Sequence, residues 1–191
     1  MSPERAAGRL VAVVGPSGAG KDTLLRLAAQ ALAGRPDVVF ARRVVTREAD
    51  EAAEDHDAME PDAFAAASRA GAFCLEWSAH GLSYGLPASL LETVRAGGTV
   101  VANLSRERLQ AAAARFPQLV VVEVTAPRAV LLARLGARGR EEGAAVAARL
   151  ERSVALRVPE GCAARHTIRN DREPAAGAAE LVAIIADRPA G

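Results

Sequence analysis

The stretch GPSGAGKDT, Gly15 to Thr23, constrains the fold more than any other part of the chain. Before it lies LVAVV (10–14), a short apolar run rich in β-branched residues that reads as a buried strand. After it, Leu24, Leu25, Ala28, Ala31 and Leu32 recur at helical spacing until Gly34 and Pro36 stop the pattern. Strand, glycine-rich loop and helix in that order form a unit that holds phosphate chains. The glycines let backbone N–H groups wrap the phosphates, the helix N-terminus adds a favourable dipole, and Lys21 bridges the terminal groups. Gly15, Pro16, Ser17, Gly18, Ala19, Gly20, Lys21, Asp22 and Thr23 are therefore the expected phosphate-binding residues. Lys21 is also the only lysine in the chain, every other basic side chain being arginine, as suits a site that needs a compact ammonium. The loop departs from GxxxxGK[ST] at its last place, where Asp22 replaces the hydroxyl residue that normally holds magnesium. Asp22 reads either as a metal ligand or as a carboxylate stabilised by the helix dipole.

Beyond the loop, strand and helix patterns keep alternating. VVFARRVV (38–45) reads as one strand entering an acidic loop, TREADEAAEDHD (46–57), and a short helix follows near 62–70. FCLEW (73–77) reads as a strand, AHGLSYG (79–85) as a glycine-rich turn, and 87–96 as a helix. TVVANL (99–104) and LVVVEVTA (119–126) are further buried strands, each followed by a helical pattern (SRERLQAAAARF, PRAVLLARLGARG). A long helix through AAVAARLERSVALRV (144–158), a strand HTIRN (166–170) and a terminal helix GAAELVAIIADR (177–188) complete the chain. The strands are continuous apolar runs, which predicts a parallel sheet covered on both faces.

With 191 residues, 50% hydrophobic and 25% charged, the chain suits one soluble globular domain and excludes a disordered tail or a disulfide scaffold. Its 24 basic and 23 acidic residues nearly cancel, which argues against a nucleic acid polymer as partner and leaves small anions open. Cys74 and Cys162 form no metal or disulfide pattern. The first residues hold too short an apolar run for a signal segment, and nothing approaches a membrane span, so a cytoplasmic setting is expected. A second copy of the chain is left open as a partner.

GPSGAGK, V-V-T-R at 44–47, E-D-H at 54–56, F-C-L-E-W ending at Trp77, Y-G at 84–85, R-G at 138–139, R-L at 149–150 and N-D at 170–171 together resemble the guanylate kinase family over nearly the whole chain. GKD in the loop, ARRVVTR with EDH, AHGLSYG and N-x-S-R at 103–106 are similar, more narrowly, to its ribose 1,5-bisphosphate phosphokinase branch, which makes phosphoribosyl diphosphate (PRPP) in phosphonate breakdown. The resemblance implies a three-layer α/β P-loop kinase with a parallel core sheet, using ATP and magnesium on a small sugar phosphate. It implies a core of 8–37 and 98–191, an acceptor-binding region of 38–97 and a lid near 136–146. By the same resemblance, Lys21, Arg138 and Arg149 neutralise charge on the transferring group, the arginines lying at the family's spacing for a lid that closes over ATP. Arg43, Arg47, His56, Glu76, His80, Tyr84, Asn103, Ser105 and Arg106 would form the acceptor site.

Departures from guanylate kinase separate the two branches. Arg43 stands where that family has a serine facing guanine, and Asn103 and Ser105 stand where it has an Asp-x-Asp pair. Asp50 replaces a second arginine and His56 a tyrosine, whereas Glu76 keeps the family's other base-reading carboxylate. A sugar bisphosphate carries two phosphates and no base, so cations and neutral donors in place of base-reading carboxylates favour it. A GMP kinase is the alternative enzyme. Guanylate-kinase-like protein-binding scaffolds are the non-enzymatic alternative, but these characteristically lose the phosphate loop. Arg134 and Arg140 read as surface charge, His166 as structural, and Trp77 as core.

Overall fold

The structure, a computed structural model, describes residues 7–46, 56–79, 81–136 and 156–187. Five parallel strands form the core sheet: β1 (Arg9–Val14), β2 (Val38–Phe40), β7 (Thr99–Asn103), β8 (Leu119–Thr125) and β9 (Ala164–Arg169), in the order β2-β7-β1-β8-β9. Every residue of β1 is buried, because side chains alternate across a sheet covered on both faces. Leu10, Ala12 and Val14 join Val100, Ala102 and Val121 on one face, under α3 (Ser89–Arg95) and α4 (Leu109–Arg115). Val11 and Val13 join Val101, Val122 and Val124 on the other, under α1 (Lys21–Ala31), α5 (Arg128–Gly136) and the terminal α6 (Pro174–Ala186). Two apolar layers around one sheet make the three-layer α/β architecture that the loop and strand pattern predict.

A second sheet of four strands is inserted between β2 and α3: β3 (Arg43–Val45), β4 (His56–Ala58), β5 (Phe73–Ala79) and β6 (Leu82–Pro87), in the order β4-β3-β6-β5. The helix α2 (Pro61–Arg69) belongs to the same insertion, with Phe64 stacked on Phe73 at 4.6 Å between ring centroids.

Several sequence expectations change here. The run 38–45 is two strands rather than one. Val38–Phe40 pairs with β7, Ala41 N–H donates to Val101 O at 2.8 Å, and after Arg42 the chain crosses into the second sheet. Arg42 is exposed and joined to Asp57, so the apolar run breaks where a charge has to reach water. Of the turn expected over 79–85, Ala79 pairs with Leu82 and 82–85 belong to β6. Gly85 looks like a turn residue but is a strand glycine, since a Cβ there would lie 2.6 Å from the Phe73 ring, and Pro87, expected to open a helix, ends β6. His56 and Asp57, expected in the acidic loop, form β4. The helix over 144–158 lies mostly outside the described residues, and its last part, 156–158, is not helical. No helix among the described residues is long and apolar enough to cross a membrane.

Candidate active site

Because the core strands are parallel, their C-terminal ends lie at one edge, where open α/β sheets bind ligands. The segment Gly15–Gly20 leaves β1 there, Asn103 and Ser105 close β7, and Asn170 follows β9. Backbone sterics hold the loop in shape. Gly15 has φ +146 and passes the β8 backbone so closely that a Cβ would sit 2.1 Å from Val124 O. Gly20 caps α1 in the left-handed region at φ 88, and a Cβ there would lie 2.4 Å from Asn170 Nδ2. That amide donates to Ala19 O at 2.7 Å, tying the loop to the end of β9. Asn170 is 3% exposed, and its Oδ1 has no hydrogen-bond partner among the described residues.

Lys21 Nζ donates to Gly15 O and Pro16 O, each at 3.0 Å, which arches its ammonium back over the loop. Asp22 is exposed on the first turn of α1, where the helix dipole favours a carboxylate. Its Oδ1 accepts a hydrogen bond of 2.7 Å from Asn103 Nδ2, so two positions 81 residues apart meet at the loop's mouth. Thr23 is half-buried in the same turn. Ser105 faces its own backbone instead, its Oγ accepting from Glu107 N–H at 3.3 Å to cap a 3-10 turn over Arg106–Arg108. Arg106 is half-buried in that turn.

On the inserted sheet, Arg43, His56 and Tyr84 share one face. Arg43 is paired in register with His56, and Val45, two residues beyond Arg43, with Tyr84. The Arg43 guanidinium sits 5.9 Å from the Tyr84 ring centroid, and Tyr84 stacks on Trp77 at 5.3 Å with 7° between the planes. Glu76 pairs with Gly85 and therefore points to the opposite face, where it lines an open groove of about 280 Å³ with Ser78, Ser83 and α2. The structure thus groups Arg43, His56 and Tyr84, joins Asn103 to the loop, and leaves Glu76 apart. Arg47, Asp50, His80, Arg138, Arg140, Arg149 and most of the lid lie outside the described residues.

Two contributors were not singled out as site residues from sequence. Asn170 belongs to the N-D pair, but its hold on Ala19 spans 151 residues. Arg134, expected as surface charge, is half-buried and donates to Asn170 O at 2.9 Å, bracing the same junction. His166 sits within β9 opposite Val122. Trp77 is core, 8% exposed. Cys74 is buried, and burial pushes its thiol pKa up, while Cys162 is free and partly exposed.

No family model matches the chain. Curated relatives match over nearly all of it. The chain is 50% identical over 178 residues to ribose 1,5-bisphosphate phosphokinase PhnN of Rhodopseudomonas palustris, covering 93% of this chain and 88% of that protein. The chain belongs to the ribose 1,5-bisphosphate phosphokinase family. Another family member, from Acidiphilium cryptum, is 48% identical over 178 residues, covering 93% of this chain and 92% of the relative. A solved guanylate kinase from Anaplasma phagocytophilum superposes with a TM-score of 0.64 at 15% identity, covering 97% of this chain and 89% of its own. That likeness establishes the guanylate-kinase fold for this phosphokinase family member.

Proposed function

We propose that this chain transfers the γ-phosphoryl group of ATP to the 1-phosphate of ribose 1,5-bisphosphate, giving 5-phosphoribosyl 1-diphosphate and ADP. The observation that carries the reading is half-identity, along nearly the whole length, to a relative named for that phosphokinase. The intact loop, with Lys21 above it, supplies the means. A cytoplasmic role in phosphonate breakdown goes with the same reading.

Transfer onto an existing phosphate needs no general base, since the accepting oxygen is already anionic. One P–O bond forms, the bond to the leaving ADP breaks, and the protein's work is alignment and charge neutralisation. In this reading Lys21 leaves Gly15 O and Pro16 O to bridge the β and γ phosphates of ATP, and Arg138 and Arg149 close over them by bidentate contact. Arg47, His80 and Arg106 complete the acceptor site. Asp22, with one oxygen steadied by Asn103, offers the hard oxygen donor that magnesium favours. When bound there, magnesium would shield the phosphate charges during transfer.

The GMP alternative is less well supported, because Glu76 is turned away from the face that carries Arg43 and Tyr84. Coupled assays of ADP release should give a higher kcat/KM with ribose 1,5-bisphosphate than with GMP. A preference for GMP would overturn the proposal, and ATP turnover with neither acceptor would point to a scaffold.

A further inference from the structure

The phosphate loop has two flanks, set by the strand order β2-β7-β1-β8-β9. On the β7 flank Asn103 meets Asp22, and the chain leaves β2 for the inserted sheet. On the β8–β9 flank the loop meets one turn of α5 and the residue that follows β9. A Cβ on Gly18 would lie 3.0 Å from Leu135 Cγ and 3.2 Å from Leu131 O, so α5 touches the loop directly there. Arg134, in the same turn of α5, is half-buried and reaches Asn170 O at 2.9 Å. Its Nη1 would stand 3.8 Å from a Cβ on Gly20.

Asn170 is the link between α5 and the loop. Its N–H donates to Thr125 O at 2.7 Å, its carbonyl accepts from Arg134, and its Nδ2 donates to Ala19 O at 2.7 Å. Its Oδ1 is buried with no hydrogen-bond partner among the described residues. With one end of the amide unengaged, the side chain is aimed by whatever fixes its backbone, and a guanidinium makes the stronger kind of hydrogen bond. Nδ2 also lies where Gly20, at φ 88, leaves no space for a Cβ, so a shift of Asn170 passes to Ala19 and Gly20. Those two residues lead into the N-terminus of α1, whose N–H groups face the phosphates.

Resting on the function proposed above, we infer that Arg134 is a positioning residue for the phosphate donor: it holds the Asn170 carbonyl, Asn170 holds Ala19, and the loop is thereby preset for the phosphates of ATP. Arg134 acts through Asn170 and not on the nucleoside. This flank lies across β1 from the inserted sheet, so the effect falls on donor binding. A loop preset equally for the ground and transition states lowers KM and leaves kcat alone.

The test measures calorimetric Kd values, with magnesium present, for ATP and for inorganic tripolyphosphate, which keeps the phosphates and lacks the nucleoside. In Arg134→Met both Kd values should rise by the same factor, about 10-fold, the scale of one hydrogen bond from a charged group. KM for ATP should follow, with kcat little changed. Arg134→Gln, which keeps a neutral donor, should fall between, and it carries the test if Arg134→Met does not fold. Asn170→Ala already uncouples the loop, so adding Arg134→Met to it should bring no further loss. A rise in Kd for ATP alone would overturn the inference by placing the guanidinium on the nucleoside. A full further loss in the double variant would overturn it by showing that Arg134 acts without Asn170. Unchanged Kd values, or a fall of kcat at unchanged KM, would overturn it as well. ATP binding by the unaltered chain without transfer to ribose 1,5-bisphosphate would overturn the function itself, and the two Kd series would still decide the role of Arg134.

Discussion

Asn103 at the end of β7 and Asp22 at the start of α1 share a hydrogen bond of 2.7 Å. One position has gained a carboxylate where P-loops carry a hydroxyl, and the other has an amide where the guanylate kinases have the first of two aspartates. A second carboxylate at 103 would repel the first, whereas an amide donor steadies it.

Asp22→Asn should therefore move the activity curve to higher magnesium by about 10-fold, one charge-assisted contact, while KM for ATP at saturating metal changes little. Manganese binding to the ATP complex, followed by electron paramagnetic resonance, should weaken in parallel. Asn103→Asp in the same chain should restore part of both. If Asp22 only stabilises its helix, thermal stability falls by about 1 kcal/mol and the metal titrations stay put.

Lys21→Met should lower kcat by about 100-fold or more with the fold intact, the usual effect of removing one preorganised stabiliser of transition-state charge. Near-full turnover in that variant would dissociate the loop from the chemistry.

The loop's junction with β9 is sensitive to a single methyl group. Gly20→Ala has to relieve a 2.4 Å approach to Asn170 Nδ2 at φ 88, a left-handed geometry that costs roughly 1–2 kcal/mol for a residue with a Cβ. Weakened ATP binding by calorimetry is the expected outcome, and Asn170→Ala, which frees Ala19 O, should weaken it as well.

The repeating part of the molecule could be read directly from sequence. Continuous apolar runs and the loop located the core sheet and its binding edge. What could not be read depends on partners far along the chain. Gly85 looked like a turn because the Phe73 ring that excludes a side chain there comes from another strand. Glu76 looked like a companion of Tyr84 because its face depends on the hairpin register. Arg134 carries no local mark of the carbonyl it reaches, 36 positions away.

At the far end of the core sheet, Arg9 is 5% exposed and its Nη2 donates to Ile185 O at 2.8 Å and Ile184 O at 3.3 Å, capping α6. Arg9→Met should destabilise the chain by about 1–3 kcal/mol in urea unfolding, because it leaves buried carbonyls without donors. Turnover per folded molecule should be retained, since the substitution lies away from the loop.

Alkylation should distinguish the cysteines. Burial pushes the Cys74 thiol pKa up, so its thiolate is scarce at neutral pH, whereas Cys162 is partly exposed. Iodoacetamide followed by peptide mass spectrometry should modify Cys162 first, with Cys74 reacting only on unfolding.

The ladder of β5 and β6 runs to the pair Ala79 and Leu82, and a bulge interrupts it between Phe73 and Leu75. Because side chains alternate sides, a one-residue slip of β5 would carry Glu76 across to Arg43 and bury Ser78 in place of Trp77. Which side chains share a face of this sheet is thus encoded in strand register as well as in side-chain identity. In the function proposed above, a single inserted or deleted codon in this hairpin would change which side chains meet the acceptor, a shorter evolutionary path between a base-reading and a phosphate-reading enzyme than the sum of the substitutions suggests.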